Sequence, residues 1–99
     1  MLSIELKTEI AALAHQVGAK RVVLFGSRAR NEERPRSDID LAVFGLPQQM
    51  EGMFLDGIDE MPTLLKFDVV LIDDRTSADL LAEIRRDEVV IYEIGRAHV

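Results

Sequence analysis

The sequence predicts a small α/β domain, a β-sheet with helices packed on it. Short apolar runs suited to strands alternate with segments of helical periodicity. Its 99 residues suffice for one hydrophobic core and not for two. With 47% apolar and 30% charged residues, the composition is that of ordinary globular chains rather than disordered, fibrous or membrane ones.

Taken in order, residues 3–17 read as a helix. Leu6, Ile10, Leu13 and Val17 recur at intervals of four, three and four, giving one apolar stripe. Ser3 is placed to cap its start and Gly18 to end it. Arg21 to Phe25 is a short apolar strand ended by Gly26. Ser27 to Arg30 are expected to form the first turn of a brief helix, and residues 31–37, with Pro35, a loop.

Ile39 to Phe44 is the second strand, with Ile39, Leu41 and Val43 facing the core and Asp38, Asp40 and Ala42 the other way. Gly45 and Pro47 close it. In residues 48–62, Met50, Met53, Phe54, Leu55, Ile58 and Met61 predict a helix that Gly52 and Gly57 weaken. Phe67 to Ile72 is the third strand, with Asp68, Val70 and Ile72 on one face. Thr76 to Asp79 carry a capping-box pattern, opening a helix lined by Leu80, Leu81 and Ile84. Val89 to Tyr92 form a last strand. Gly95 to Val99 have no pattern and are expected to be a frayed or foreign tail. No repeat, low-complexity segment or second domain appears, so residues 1–99 are expected to form one domain.

Charge narrows the function. Twelve Lys and Arg against eighteen Asp and Glu leave a net charge of −6. Proteins that grip a nucleic-acid backbone carry a basic face, because phosphate neutralisation supplies most of their affinity. Here the clustered bases, Lys20, Arg21, Arg28, Arg30, Arg34 and Arg36, flank the Gly26-Ser27 turn. They suit one triphosphate and do not make a track for a polynucleotide, which argues against direct nucleic-acid binding. No apolar run reaches the ~20 residues of a membrane span, and the N-terminus lacks the layout of a signal peptide. With no cysteine, disulfide and thiolate chemistry are excluded, and a cytoplasmic location is expected.

The chemistry concentrates in two acids on one strand and a third on another. On a strand, Asp38 and Asp40 lie about 6.5–7 Å apart on one face, repelling by ~2 kcal/mol at an effective dielectric of 20. A lone Asp-x-Asp is usually a solvated strand edge. An otherwise apolar strand, with Asp68 at the head of another, favours a metal site, and oxygen-only ligation suits magnesium, or manganese in its place. The Gly26-Ser27 turn by itself is an ordinary strand-to-helix turn. The same geometry also aims N–H groups at an anion, here the phosphates of a nucleotide, with Arg28 and Arg30 as further candidates. Phosphate cradle plus three carboxylates is the equipment of two-metal nucleotidyl transfer, with Asp38 and Asp40 sharing both ions and Asp68 completing the site and serving as general base.

The remaining polar candidates read as structural. His15 has no metal-spaced partner, and His98 lies in the tail. Met50, Met53 and Met61 suit core or partner contact. Glu5, Glu9, Glu83 and Glu88 read as solvated charges, and Tyr92 as sheet packing.

Gly26-Ser27-Arg28-Ala29-Arg30, Ser37-Asp38-Ile39-Asp40-Leu41-Ala42-Val43 and Phe67-Asp68-Val69-Val70 together resemble the signature of the minimal nucleotidyltransferases, the MNT proteins of the polymerase-beta-like superfamily. The resemblance spans residues 20 to 92. It implies a mixed sheet flanked by helices and a Mg²⁺-dependent site: Gly26 and Ser27 match the phosphate-binding turn, Asp38 and Asp40 the paired metal ligands, Asp68 the third carboxylate. The family often has glycine where this chain has Asn31, a residue that tolerates left-handed backbone less freely. Members of this size are commonly paired with a helical HEPN partner, an RNase toxin; the MNT protein acts as antitoxin by transferring AMP from ATP to a tyrosine of the toxin.

A domain of this size has little surface left to enclose a small second substrate, so a partner that presents its own hydroxyl fits that implication. Three other readings stand beside it. One is a non-catalytic module that neutralises its partner by occlusion. Another is a transferase acting on a small molecule or RNA end with a missing subunit. The last is a plain α/β protein with a coincidental motif.

Overall fold

A computed structural model describes residues 2–95. Helix α1 (Ile4–Val17) leads into strand β1 (Arg21–Phe25) and, after a long connection, β2 (Ile39–Phe44). A 3₁₀ turn (Gln48–Met50) opens α2 (Glu51–Asp59); β3 (Phe67–Ile72), α3 (Ala78–Asp87) and β4 (Val89–Glu93) follow. The four strands form one sheet in the order β3-β2-β1-β4. β1 is antiparallel to both β2 and β4, whereas β2 and β3 run parallel, so the sheet is mixed as the resemblance implied.

Strand alternation sorts the side chains into two cores. Ile39, Leu41 and Val43 join Val22, Leu24, Phe67, Val69 and Leu71 in a large cluster under α1 and α2. On the opposite face Val23, Phe25 and Ala42 pack with Ile84 of α3, and Val70, Ile72 and Leu80 border them. Asp40 and Asp68 therefore rise on the α3 side. That side is the thinner layer, leaving room for polar groups at its end.

Local chemistry sets the ends of the elements. Ser3 Oγ accepts from Leu6 N at 3.2 Å, and Gly18 closes α1 in the left-handed conformation with φ 77°. Gly57 lies against Leu13 of α1, where a Cβ would come within 2.7 Å of the leucine methyls. A residue that weakens α2 by propensity thus lets the two helices approach.

Four expectations need correction. The predicted helix over 48–62 is a 3₁₀ turn followed by nine helical residues, ending at Asp59. The cap of α3 is Ser77, whose Oγ accepts from Leu80 N; Thr76 Oγ1 turns back to accept from Asp73 N, so the N-cap lies one residue later than predicted and, with Leu80 at the third helical position, is not a capping box. Ser27 to Arg30 form hydrogen-bonded turns and no helix. Glu88 is no solvated charge: it meets Arg21 at 2.6 Å, and Glu93 meets the same guanidinium at 3.0 Å, pinning β1 to β4. The tail from 96 to 99, with His98, lies outside the described residues.

Candidate active site

The site forms where β1 ends and β2 and β3 begin. Phe25 is the register partner of Asp40, and Asp40 that of Asp68, so three adjacent strands bring the turn and two acids to one corner of the sheet. Neighbouring strands lie ~4.8 Å apart, close enough for the Asp40 and Asp68 carboxylates to share a ligand. Asp38 stands one residue before β2 and is exposed, as is Asp68; Asp40 is half-buried.

Gly26 leaves β1 with φ 76°, and a Cβ there would overlap Asp40 Oδ2. Only glycine permits both the left-handed turn and the closeness of that carboxylate. The turn closes on itself: Ala29 N and Arg30 N donate to Gly26 O at 3.1 and 3.2 Å, and Glu32 N donates to Ser27 O at 2.9 Å. Asn31 adopts φ 59°, so the residue found where the family often has glycine takes the left-handed conformation itself. Among the described residues, the N–H groups of Ser27 and Arg28 donate to no acceptor.

The two arginines diverge. Arg28 is buried, and its Nε and Nη2 donate to Ser37 O at 3.1 and 2.8 Å across the loop. Arg30 is exposed, donating from Nε to Glu32 at 2.9 Å and from Nη1 to Asp87 at 2.6 Å. Asp87 sits at the C-terminal end of α3, where the helix dipole disfavours an anion. Arg86 and Arg30 compensate: hydrogen bonding to Arg86 first, then to Arg30, holds the Asp87 carboxyl below its ordinary range against the opposing effect of burial.

Asp40 shows the reverse. Burial pushes its carboxyl up, and the charges of Asp68, Asp38 and Glu83 push it further, with Arg30 pulling the other way. Asp38 and Asp68 therefore both act on Asp40. Glu83 of α3 is exposed, as its reading as a solvated charge has it. Asp87, one turn later, is the polar residue near the site that the sequence reading does not single out; its signal is an acid placed against a helix C-terminus beside Arg85 and Arg86.

Among the described residues, no three acidic or imidazole side chains converge closely enough to hold a metal ion as they stand. Donor type and charge nonetheless fit a hard divalent cation: all three candidate ligands are carboxylates, and Asp40 carries repulsion that a cation would relieve. Asp38 and Asp68 are both exposed, so no core packing holds either side chain in place. No described helix is long and apolar enough to cross a membrane.

The sequence pattern of the family described as "Polymerase beta, Nucleotidyltransferase" matches residues 7–96. Two solved structures share the fold. One is a toxin–antitoxin crystal structure with AMP-PNP: 20% identity, TM-score 0.56, 90% of this chain and 74% of that one covered. The other is a variant of the toxin–antitoxin MntA–HpeT in which two aspartates two positions apart are replaced by glutamate: 18% identity, TM-score 0.55, the same coverage. No curated protein sequence matches significantly.

Proposed function

The chain belongs to the polymerase beta nucleotidyltransferase family, and on that premise we propose that it transfers AMP from ATP to a hydroxyl of a partner protein. The partner is a helical HEPN-type RNase toxin, the acceptor one of its tyrosines, and the transfer makes this chain an antitoxin. The observation that carries the proposal is Asp40, half-buried against the Gly26 turn and in register with Asp68. Support for the nucleotide and the partner comes from the two structural relatives, one a toxin–antitoxin with AMP-PNP and one MntA–HpeT itself. The spacing of the aspartates changed in the second equals that of Asp38 and Asp40.

In this reading the N–H groups of Ser27 and Arg28, beside Gly26, receive phosphate oxygens, and Arg30 adds positive charge at the mouth. Asp38, Asp40 and Asp68 would hold two divalent cations, Mg²⁺ or Mn²⁺. Such ions would supply charge neutralisation at the triphosphate and a lowered pKa for the attacking hydroxyl. The acceptor oxygen attacks the α-phosphorus, the bond to the pyrophosphate oxygen breaks, and Asp68, exposed at the strand head, takes the hydroxyl proton. Little else is asked of the protein, because this chemistry depends on positioning and electrostatics.

The test is incubation with ATP, Mg²⁺ and the helical protein encoded beside this chain, followed by intact-mass measurement of both. The expected result is a toxin heavier by one AMP, with its RNase activity lost. Neutralisation by an Asp38→Asn, Asp40→Asn variant without any mass change would establish occlusion instead.

A further inference from the structure

We infer that the Arg28 side chain is a positioning group, clamping the Ser37 carbonyl and thereby fixing Asp38 beside Asp40, and that its guanidinium, unlike its backbone N–H, is not a phosphate ligand. This rests on the transferase reading and deepens it. A buried guanidinium is costly unless its N–H groups are satisfied. Arg28 is 6% exposed, and it directs Nε and Nη2 onto one carbonyl, Ser37 O, at 3.1 and 2.8 Å. Its own backbone is anchored, because the turn from Gly26 to Glu32 is closed by hydrogen bonds at both ends. The far side of the loop is equally constrained. Ser37 N donates to Arg34 O at 3.0 Å, and Arg34 N donates to Ser37 Oγ at 2.9 Å.

Asp38 follows Ser37 directly. On its other side Ile39 N donates to Lys66 O at 2.8 Å, immediately before β3. An exposed aspartate thus stands on a peptide tied at both flanks, to the turn through Arg28 and to β3 through Lys66. Residues 32–34, 37 and 38 have no regular structure of their own, so the Arg28 clamp substitutes for a ladder in holding the entry to β2. Lysine has a single ammonium head and lacks the planar fork that spans one carbonyl with two donors.

The test compares wild type, Arg28→Lys, Arg28→Gln and Asp38→Asn in three measurements. They are Mn²⁺ binding by electron paramagnetic resonance, ATP binding in excess EDTA, and amide hydrogen exchange over residues 31–38. Both Arg28 variants are expected to lose about 10–100-fold in Mn²⁺ affinity, the usual effect of removing a group that orients a ligand. Their exchange over 31–38 should be faster and their metal-free ATP affinity unchanged. Asp38→Asn should lose Mn²⁺ affinity with no change in exchange. Arg28 variants that keep Mn²⁺ affinity but lose metal-free ATP binding would overturn the inference and make the Arg28 guanidinium a phosphate ligand. A wild-type chain that takes up neither Mn²⁺ nor ATP would overturn the transferase reading, and this inference with it.

Discussion

Gly26 lies so close under the Asp40 carboxylate that any Cβ at position 26 would overlap Asp40 Oδ2. The turn that ends β1 and the acid in β2 therefore constrain each other. Gly26→Ala must adopt a left-handed backbone, costing about 1–2 kcal/mol, and must also push Asp40 aside. Urea denaturation should show at least that loss. Mn²⁺ binding should fall with it, because the displaced carboxylate is a proposed ligand.

Asp40→Asn should raise stability while destroying function. Burial first, then the charges of Asp68, Asp38 and Glu83, raise the Asp40 carboxyl above its ordinary value of 3.8. A raised carboxyl is penalised when charged, so the cost is absent below that value and fully present above the raised one. At neutral pH the variant should melt higher than wild type, and transfer should fall about 10²–10³-fold. Mg²⁺ should raise the wild-type melting temperature more than that of the variant.

Asp87→Asn should change the acid limb of the stability curve. Arg86 and Arg30 lower the Asp87 carboxyl, so its contribution is present above the ordinary aspartate value and is lost as pH falls through the lowered one. Wild type should melt higher than the variant by a constant amount above about pH 5, and the gap should close at lower pH. A gap that widens on acidification would contradict the pairing.

The two glycines of α2 should behave differently. Gly52 has open space where a Cβ would go, whereas Gly57 meets Leu13. Gly52→Ala should stabilise by about 0.5–1 kcal/mol through backbone entropy. Gly57→Ala should give less or reverse sign as Leu13 is displaced. Thermal melts of the two single variants distinguish the effects.

Much of this was legible in the chain. Strands β1, β2 and β3 fall on the residues where the apolar runs placed them, because the sheet is covered on both faces and each run is long enough for one strand between turn-forming residues. The shared corner of Asp40 and Asp68 was implied by both acids starting apolar strands, although the parallel register that makes them neighbours is a tertiary fact. What stayed hidden depended on long-range pairing. Arg28 and Arg30 look alike in sequence, yet one turns inward to Ser37 and the other outward to Asp87, 57 positions along. Glu88 likewise looked solvated until β4 folded beside β1 and brought it to Arg21. The cap of α3 moved by one residue because adjacent Thr76 and Ser77 both offer a hydroxyl, and Thr76 is used in the preceding turn.

Asp38, Asp40 and Asp68 are proposed to close around divalent cations beside the Gly26-Ser27 turn, and a crystal of the chain grown with Mn²⁺ and AMP-PNP tests this most directly. The expected map has an anomalous manganese peak in contact with Asp40 and at least one of the other two carboxylates, with phosphate oxygens on the Ser27 and Arg28 amides. Manganese bound away from Asp40, or AMP-PNP seated with all three carboxylates still apart, would contradict it.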